Sequence, residues 1–320
     1  MPLISVIMPA YNAGLHIREA LGSVLAQTFT DFEVIAVDDG SKDDTAAQIA
    51  EAAASDNRVR LVRQPNGGVS CARNLALSAA SGSVFALLDG DDVWDSQFLE
   101  EQFRILRART DVDIVTGNAF EMGGHRDGQP ARPFPDTRPN PDLAAILADE
   151  AAVFIMTLFR RAVYERIGGF DESLRTNEDY DYWLRAAAAG FVFARNDRPL
   201  GGYRRSNQSL SANDVRMLRG ILYVFQKLRP SLLNRLDELA LLDRQVDRFE
   251  TELLAAEARA AIEAGDHATA AARLSELRRR RPGTALSVAE ALARWAPGLL
   301  PMLYRARRAR LTKRAACATP

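Results

Sequence analysis

Cysteine is nearly missing from this sequence, with Cys71 and Cys317 the only two in 320 residues. Two thiols so far apart exclude a disulfide framework and a cysteine-rich zinc site, and their scarcity fits a reducing compartment such as the cytoplasm. Histidine is as scarce: His16, His125 and His267 fall on a helix, in a loop and in a C-terminal hairpin, with no metal-ligand spacing and no function assigned. Net charge is lacking too. The 41 basic and 42 acidic residues leave a formal charge of −1, so no global field draws the chain onto nucleic acid or an anionic membrane. No run reaches the roughly 18–20 apolar residues of a membrane span. The N-terminal MPLISVIMPAYN has no basic region ahead of its apolar residues, so it reads as a strand and not as a signal peptide.

What is present is enough for a large core. Apolar residues make up 47% of the chain, sufficient for one large α/β domain and a smaller second unit. Short β-branched runs alternate with longer stretches of helical spacing, the pattern of βαβ units around a mostly parallel sheet. Strands are predicted at Leu3–Met8, Glu33–Val37, Val59–Val62, Val84–Leu88, Asp113–Thr116, Val153–Phe159, Phe191–Ala194 and Leu200–Arg204. Between them, Ile17, Leu21, Val24 and Leu25 share one face of a helix that Asn12 is placed to cap, and Ser41 with Asp44 has capping-box spacing. Further helices are predicted over Val69–Ala80, around Leu99, Phe103 and Leu106, over Arg161–Ile167 and over Glu178–Ala189, the last stopped by Gly190. Residues Gly123–Pro141 lack a period and read as a long surface loop beside the site. From Asp214 only helical patterns remain, including a hairpin over Leu253–Arg281 with its turn at Gly265-Asp266. The chain is therefore expected to divide into residues 1–213 and a helical extension, 214–320.

In an open parallel sheet the ligand site lies beyond the carboxyl ends of the strands. Those ends are acidic here. Strand one runs into Pro9-Ala10-Tyr11-Asn12, strand two into Asp38-Asp39-Gly40-Ser41, and strand four into Asp89-Gly90-Asp91-Asp92. Any one of these Asp residues is explained as a turn former or cap. Five carboxylates converging on one sheet edge would repel one another unless donors or a cation compensate them, and a hard divalent ion suits oxygen ligands while leaving positions open for phosphates.

With Asn66-Gly67-Gly68-Val69-Ser70-x-Ala72-Arg73-Asn74, Gly168-Gly169-Phe170-Asp171-Glu172 and Glu178-Asp179 before Trp183, these segments in this order resemble family 2 glycosyltransferases of the GT-A fold, over residues 3 to 205. The resemblance implies a donor half (about 1–118) and an acceptor half (about 119–213) on a Rossmann-like sheet. It implies a transferase of hexosyl or related groups that uses a nucleoside-diphosphate sugar, most often UDP-linked, with Mn2+ or Mg2+, in cell-surface polysaccharide synthesis. Donor contacts carried over by position are Pro9, Tyr11, Asn12, Asp38, Asp39, Gly68, Arg73, Asp89, Gly90 and Asp91. Tyr11 would stack on the base, Asp39 would accept from it, Asp38 would contact the ribose or serve the turn, and Arg73 would face the diphosphate. Metal candidates are Asp91 first, then Asp89 and Asp92, unranked. Asp179 is the implied base, with inversion at the anomeric carbon; Gly168, Gly169 and Glu178 would face a glycan or lipid-linked acceptor. A helix C-cap explains Gly168 equally well.

Two rivals remain. A sugar nucleotidyltransferase would carry a glycine-rich basic loop after strand one, where this chain has Pro9-Ala10-Tyr11-Asn12. A catalytically inactive nucleotide-sugar-binding module would be expected to have lost Asp91 or Asp179. In the tail, Trp295, Leu299, Leu300, Met302, Leu303 and Tyr304 precede six basic residues among the ten from Arg305 to Arg314. That composition suits either a solvated tail or peripheral contact with the cytoplasmic face of an anionic membrane.

Overall fold

The computed structural model describes residues 2–135, 137–138, 140–205, 214–296 and 298. Eight strands form one sheet: β1 (Ile4–Ala10), β2 (Phe32–Asp38), β3 (Val59–Arg63), β4 (Val84–Leu87), β5 (Val93–Trp94), β6 (Ile114–Met122), β7 (Thr157–Arg160) and β8 (Phe193–Arg204). Their order across the sheet is β3-β2-β1-β4-β7-β6-β8-β5. The four strands β3, β2, β1 and β4 are parallel, with Ala10 beside Asp38 and Ile7 beside Leu87. Every residue of β1 is buried, as expected of a strand covered on both faces. The second half of the sheet is mixed, because β7 runs antiparallel to β4 and β6, and β5 antiparallel to β8, while β6 and β8 are parallel. This is the GT-A type of α/β fold, more mixed in strand direction than the alternating pattern suggested.

Helices α1 (Ile17–Leu25), α2 (Thr45–Ser55), α3 (Val69–Ala79) and α4 (Phe98–Ala108) connect the first strands. Ile17, Leu21 and Val24 of α1 pack with Val6, Met8 and Leu99 in the main core. Two expected caps are not formed. The cap position of α1 is His16, and Asn12 instead adopts φ 49° in the preceding turn; Asp44 precedes α2 but its carboxylate accepts from the Gln48 amide, 2.9 Å away.

Beyond β6, Arg132 explains why Gly123–Pro141 is not a free surface loop: its buried guanidinium donates to the carbonyls of Ala152 and Gly117, tying the segment to the sheet. A short helix unseen in the pattern, α5 (Leu143–Ala148), follows, capped by Asp142, which accepts from the Ala145 N–H at 2.7 Å. Strand β7 begins at Thr157, four residues later than Val153, and the two expected strands 191–194 and 200–204 are one continuous β8. α6 (Arg161–Ile167) and α7 (Glu178–Ala188) complete the part that carries the site.

The C-terminal helices are α8 (Asp214–Leu228), α9 (Leu236–Ala264), α10 (His267–Arg280) and α11 (Thr284–Trp295). The chain forms two compact units, one of Met1–Ala212 with Val224–Leu242 and one of Asn213–Tyr223 with Asp243–Pro320. In the second, the turn at Gly265, φ 73°, and Asp266, which accepts from the Thr269 N–H at 3.0 Å, joins α9 to α10. Its small core is Ala258, Ala261, Ile262, Ala270, Leu274 and Ala293. Apart from Trp295, Ala296 and Gly298, the basic tail lies outside the described residues. No helix of the described residues is long and apolar enough to cross a membrane.

Candidate active site

Because β1, β2 and β4 are parallel, their carboxyl ends open at the same edge of the sheet, and the first two turns there are stapled together. The Asn12 N–H donates to Ser41 Oγ (3.0 Å), the Lys42 N–H to Asn12 Oδ1 (2.9 Å), the Ala13 N–H to Thr45 Oγ1 (2.8 Å) and the Gly14 N–H to Asp43 Oδ2 (3.0 Å). The polar residues that suggested caps therefore tie one loop to the other. Tyr11 projects from this paired turn with 48% of its surface exposed, which is unusual for an apolar ring and leaves a face open for stacking. Pro9 is buried in β1, and Gly90 sits against it: a Cβ there would come within 3.1 Å of the Pro9 carbonyl and of Ala10.

Asp38 and Asp39 part company. Asp38 is fully buried, accepting from the Ser41 N–H (3.1 Å) with the Arg63 guanidinium 3.4 Å from its other oxygen, so it serves the turn. Asp39 reaches the loop before α3, where it accepts from Gln64 Nε2 (2.7 Å), the Gly67 N–H (2.8 Å) and the Gly68 N–H (2.8 Å). A carboxylate offers about four lone-pair positions, so one is left. Gly68 has φ 93° at the start of α3, a backbone conformation that favours glycine.

Arg73, on the inner face of α3, is 2% exposed and bridges the two halves of the site. Its Nη2 donates to both oxygens of Asp89 (2.8 and 3.1 Å) and its Nη1 to Glu178 Oε1 (2.8 Å), while Nε has no hydrogen-bond partner. Glu178 opens α7 with Asp179 and Asp181, placing three carboxylates at the positive end of the helix dipole. Asp179 accepts from the Tyr180 N–H at 2.8 Å and makes no ion pair among the described residues. Burial and the neighbouring Glu178 push its carboxyl up to about 6, against the opposing pull of Arg73.

The Asp89–Asp92 turn separates its three carboxylates. Asp89 is neutralised by Arg73, and Asp92, 1% exposed, accepts from the Arg204 N–H at 2.7 Å and so holds the end of β8. Asp91 is exposed and no cation pairs with its carboxylate among the described residues; the Arg204 guanidinium nearby goes to the Asp91 backbone carbonyl (2.8 Å) and to Glu19 (2.8 Å). Although the residue as a whole is exposed, the turn partly desolvates the Asp91 carboxyl, which with the Asp89 charge raises it above its ordinary value, and burial with both neighbours raises Asp92 well above it. No cluster of three His, Cys, Asp or Glu among the described residues is arranged to hold a metal, since Asp38 and Asp39 are engaged by the turn and loop beside them and Asp89 by Arg73. The residues present suit a different kind of site, in which one unpaired carboxylate, Asp91, contacts a hard cation and ligand phosphates supply the remaining oxygens.

The glycine pair ahead of α7 divides its labour. Gly168 ends α6 with φ 75° and open space where a Cβ would go, whereas a Cβ on Gly169 would lie 2.3 Å from Asn74 Oδ1. Asn74 fixes this turn by accepting from the Phe170 N–H (2.7 Å) and donating to the Phe170 carbonyl (2.9 Å). Arg185 holds it from the other side through the carbonyls of Ile167 and Gly169, both at 2.8 Å, and pairs with Asp181 at 2.7 Å. Lys227 of α8 adds contacts to Asp171 (2.6 Å) and Asp181 (2.8 Å).

This arrangement of strand ends, arginine bridge and acidic helix start can be set beside known proteins. Residues 5–168 match the sequence profile described as glycosyl transferase family 2. The chain belongs to that family. Among curated relatives of this family 2 chain, an uncharacterised glycosyltransferase of Rickettsia prowazekii is 31% identical over 188 residues, 58% of each chain. The match thus spans under two thirds of that relative's length. The putative teichuronic acid biosynthesis glycosyltransferase TuaG of Bacillus subtilis is 30% identical over 229 residues, 71% of this chain and 88% of TuaG. S. aureus TarS 1–349 in complex with UDP shares the fold with TM-score 0.61 and 21% identity, covering 95% of this chain and 89% of that one. Mannosyltransferase PcManGT of Pyrobaculum calidifontis, in complex with GDP-Man and Mn2+, aligns with TM-score 0.57 and 21% identity, over 94% and 86%.

Sequence reasoning missed several residues of this family 2 site. For Glu178, placed at the acceptor by the resemblance, the sequence did not disclose the ion pair with Arg73, 105 positions away. Asn177, at φ 60° just before α7, was overlooked although Asn is among the few side chains that tolerate this left-handed conformation. Asn74 meets Phe170 at 96 positions, Arg185 meets Gly169 at 16 and Lys227 meets Asp171 at 56, contacts that no local spacing discloses.

Proposed function

We propose that the protein is a glycosyltransferase that moves a sugar, with inversion, from a nucleoside-diphosphate donor to a hydroxyl of a glycan or lipid-linked acceptor. The observation that carries this reading is the charge pattern around Arg73: Asp89 and Glu178 are neutralised by it, while Asp91 and Asp179 on either side make no ion pair among the described residues. Asp179 takes the acceptor proton as its oxygen attacks the anomeric carbon; the bond from that carbon to the donor phosphate breaks, and its electron pair leaves with the nucleoside diphosphate. Tyr11 stacks on the base, and the remaining position on Asp39 accepts from a base N–H, as uracil provides. Gly168 and Gly169 give the acceptor a close backbone approach. A divalent ion, Mn2+ or Mg2+, held by Asp91 and the donor phosphates would offset the charge of the leaving group. UDP in TarS and Mn2+ with GDP-Man in PcManGT support these two choices, and the TuaG relationship supports a role in cell-surface polysaccharide synthesis. The test is donor turnover with and without manganese: no hydrolysis or transfer of UDP-, GDP- or dTDP-sugars under any condition would leave an inactive binding module as the better reading.

The residues 295–314, whose apolar-aromatic stretch adjoins six basic side chains, are proposed to bring the enzyme reversibly to the cytoplasmic face of anionic membranes, close to a lipid-linked acceptor. Each Lys or Arg near such a surface contributes roughly 1 kcal/mol. Co-sedimentation of the full chain with anionic vesicles at low salt, lost at high salt and in a chain ending at Ala291, is the expected result. Equal pelleting of the two chains would assign the tail to solvent.

A further inference from the structure

On the outer face of α3, away from Arg73, lies a depression of about 500 Å³ that the reaction above does not use. Cys71, Asn74 and Ser78 line it from the helix, Gln64 from the loop before it, Tyr164 from α6 and Glu172 from the turn after Gly169. The spacing 71, 74, 78 places these α3 residues on one helical stripe, opposite the buried Arg73, Ala76 and Leu77. Much of the hydrogen-bonding capacity there is unspent. Gln64 uses its Nε2 on Asp39 and keeps its carbonyl oxygen, and Ser78 donates to Leu75 and can still accept, while Glu172 is engaged by Asn74 Nδ2 (2.9 Å) and by the Cys71 thiol. Among the described residues Glu172 is the only charged side chain in the lining and no Lys or Arg contributes to it, so the depression does not suit a phosphate or another anion. Its preponderance of polar groups does not suit a lipid chain. Neutral, hydroxyl-rich molecules have the matching chemistry, since sugar O–H groups donate to carboxylate and amide oxygens and accept from hydroxyls.

We propose that this depression binds neutral sugar residues of a glycan acceptor, at a distance from the hydroxyl that reacts. Gly169 provides the link, because it lines the depression and precedes Phe170, whose ring lies 5.3 Å from the Arg73 guanidinium that pairs with Glu178 at the start of α7. The inference rests on the glycan-acceptor reading given above. A chain seated in the depression would reach across the Gly169 turn toward the start of α7, and the subsite would select for acceptor length.

The test uses the full chain on an array of neutral oligosaccharides, from disaccharides to hexasaccharides. The wild-type protein is expected to bind a subset, and Ser78→Trp, which adds bulk at an exposed helix position, to weaken that binding about tenfold or more, as for one or two lost hydrogen bonds. Arg107→Ala, at an exposed position of α4 outside the lining, should bind the same subset unchanged. A second readout is independent of Trp tolerance: in Cys317→Ser protein, the bound oligosaccharide should slow alkylation of Cys71 by N-ethylmaleimide. The measurement belongs near pH 8.5, since burial and then Glu172 raise the Cys71 thiol. Absence of any glycan binding by the wild type overturns the proposal, and so does binding that leaves Cys71 alkylation unchanged. Either result would leave the transferase reading intact, since donor turnover tests that separately.

Discussion

Arg73 and Glu178 stand 105 positions apart in the chain and 2.8 Å apart in the structure, each buried and each the other's charge partner. Their contact joins α3, the helix after the Gly67-Gly68 loop, to the helix that carries Asp179. It also completes a bridge to Asp89, so one guanidinium sets the distance between the two sides of the cleft.

Removing that guanidinium should cost both fold and function. Arg73→Met leaves Glu178 and Asp89 without their shared cation, and breaking a buried pair destabilises by roughly 3–5 kcal/mol. Denaturant titration is expected to register a loss of about that size, with nucleotide-dependent activity falling in the same variant. Arg73→Lys can satisfy only one of the two carboxylates and should lie between the wild type and Met. A wild-type melting profile for Arg73→Met would show that the bridge contributes nothing.

Asp179 predicts a pH profile. Its carboxyl lies at about 6, and a base works only when deprotonated, so kcat/KM should climb with pH below about 6 and level off above it. Asp179→Asn should lower transfer by about two orders of magnitude or more, while nucleotide-diphosphate affinity by calorimetry stays unchanged. A variant that keeps its turnover would move the base elsewhere.

The separation of the Asp89–Asp92 carboxylates makes two neighbouring variants behave differently. Asp91→Asn should weaken nucleoside-diphosphate binding in manganese and make it insensitive to chelator, because the unpaired carboxylate is gone. Asp92→Asn should keep the manganese requirement, since that side chain is committed to the Arg204 N–H. Calorimetry of both variants, with excess chelator as the control, distinguishes them; equal loss of metal dependence would assign the ion to the pair and not to Asp91.

The glycine pair offers a contrast in stability. Gly168→Ala meets open space but must hold φ 75° and ψ −168°, a backbone region that is essentially glycine-only, at a cost of about 1–3 kcal/mol. Gly169→Ala drives a methyl to within 2.3 Å of Asn74 Oδ1 and must displace the side chain that fixes Phe170. Its melting temperature should therefore fall further than that of Gly168→Ala. The reverse order would mean that the Asn74 clamp yields freely.

The sequence by itself determined what is local or repeated. Alternating apolar periods placed most strands and helices, because a core must be filled from one face of a helix and both faces of a parallel strand. Parallel order then puts the ends of β1, β2 and β4 at one edge, so Tyr11, Asp39 and the Asp89–Asp92 turn were legible as a group. What each side chain does there was decided by contacts between distant segments. Asn12 and Ser41 looked like helix caps and turned out to staple two loops, since a hydroxyl or amide serves whichever donor the fold brings near. Asp89, Asp91 and Asp92 are alike in sequence, yet Arg73 claims the first, the Arg204 N–H claims the third, and among the described residues no donor from another segment claims the carboxylate of the second. Local spacing carries no information about Arg204 meeting Asp92, 112 positions away. Charge pairing depends on distance in space, and that was set only when the mixed half of the sheet folded β8 back beside the turn.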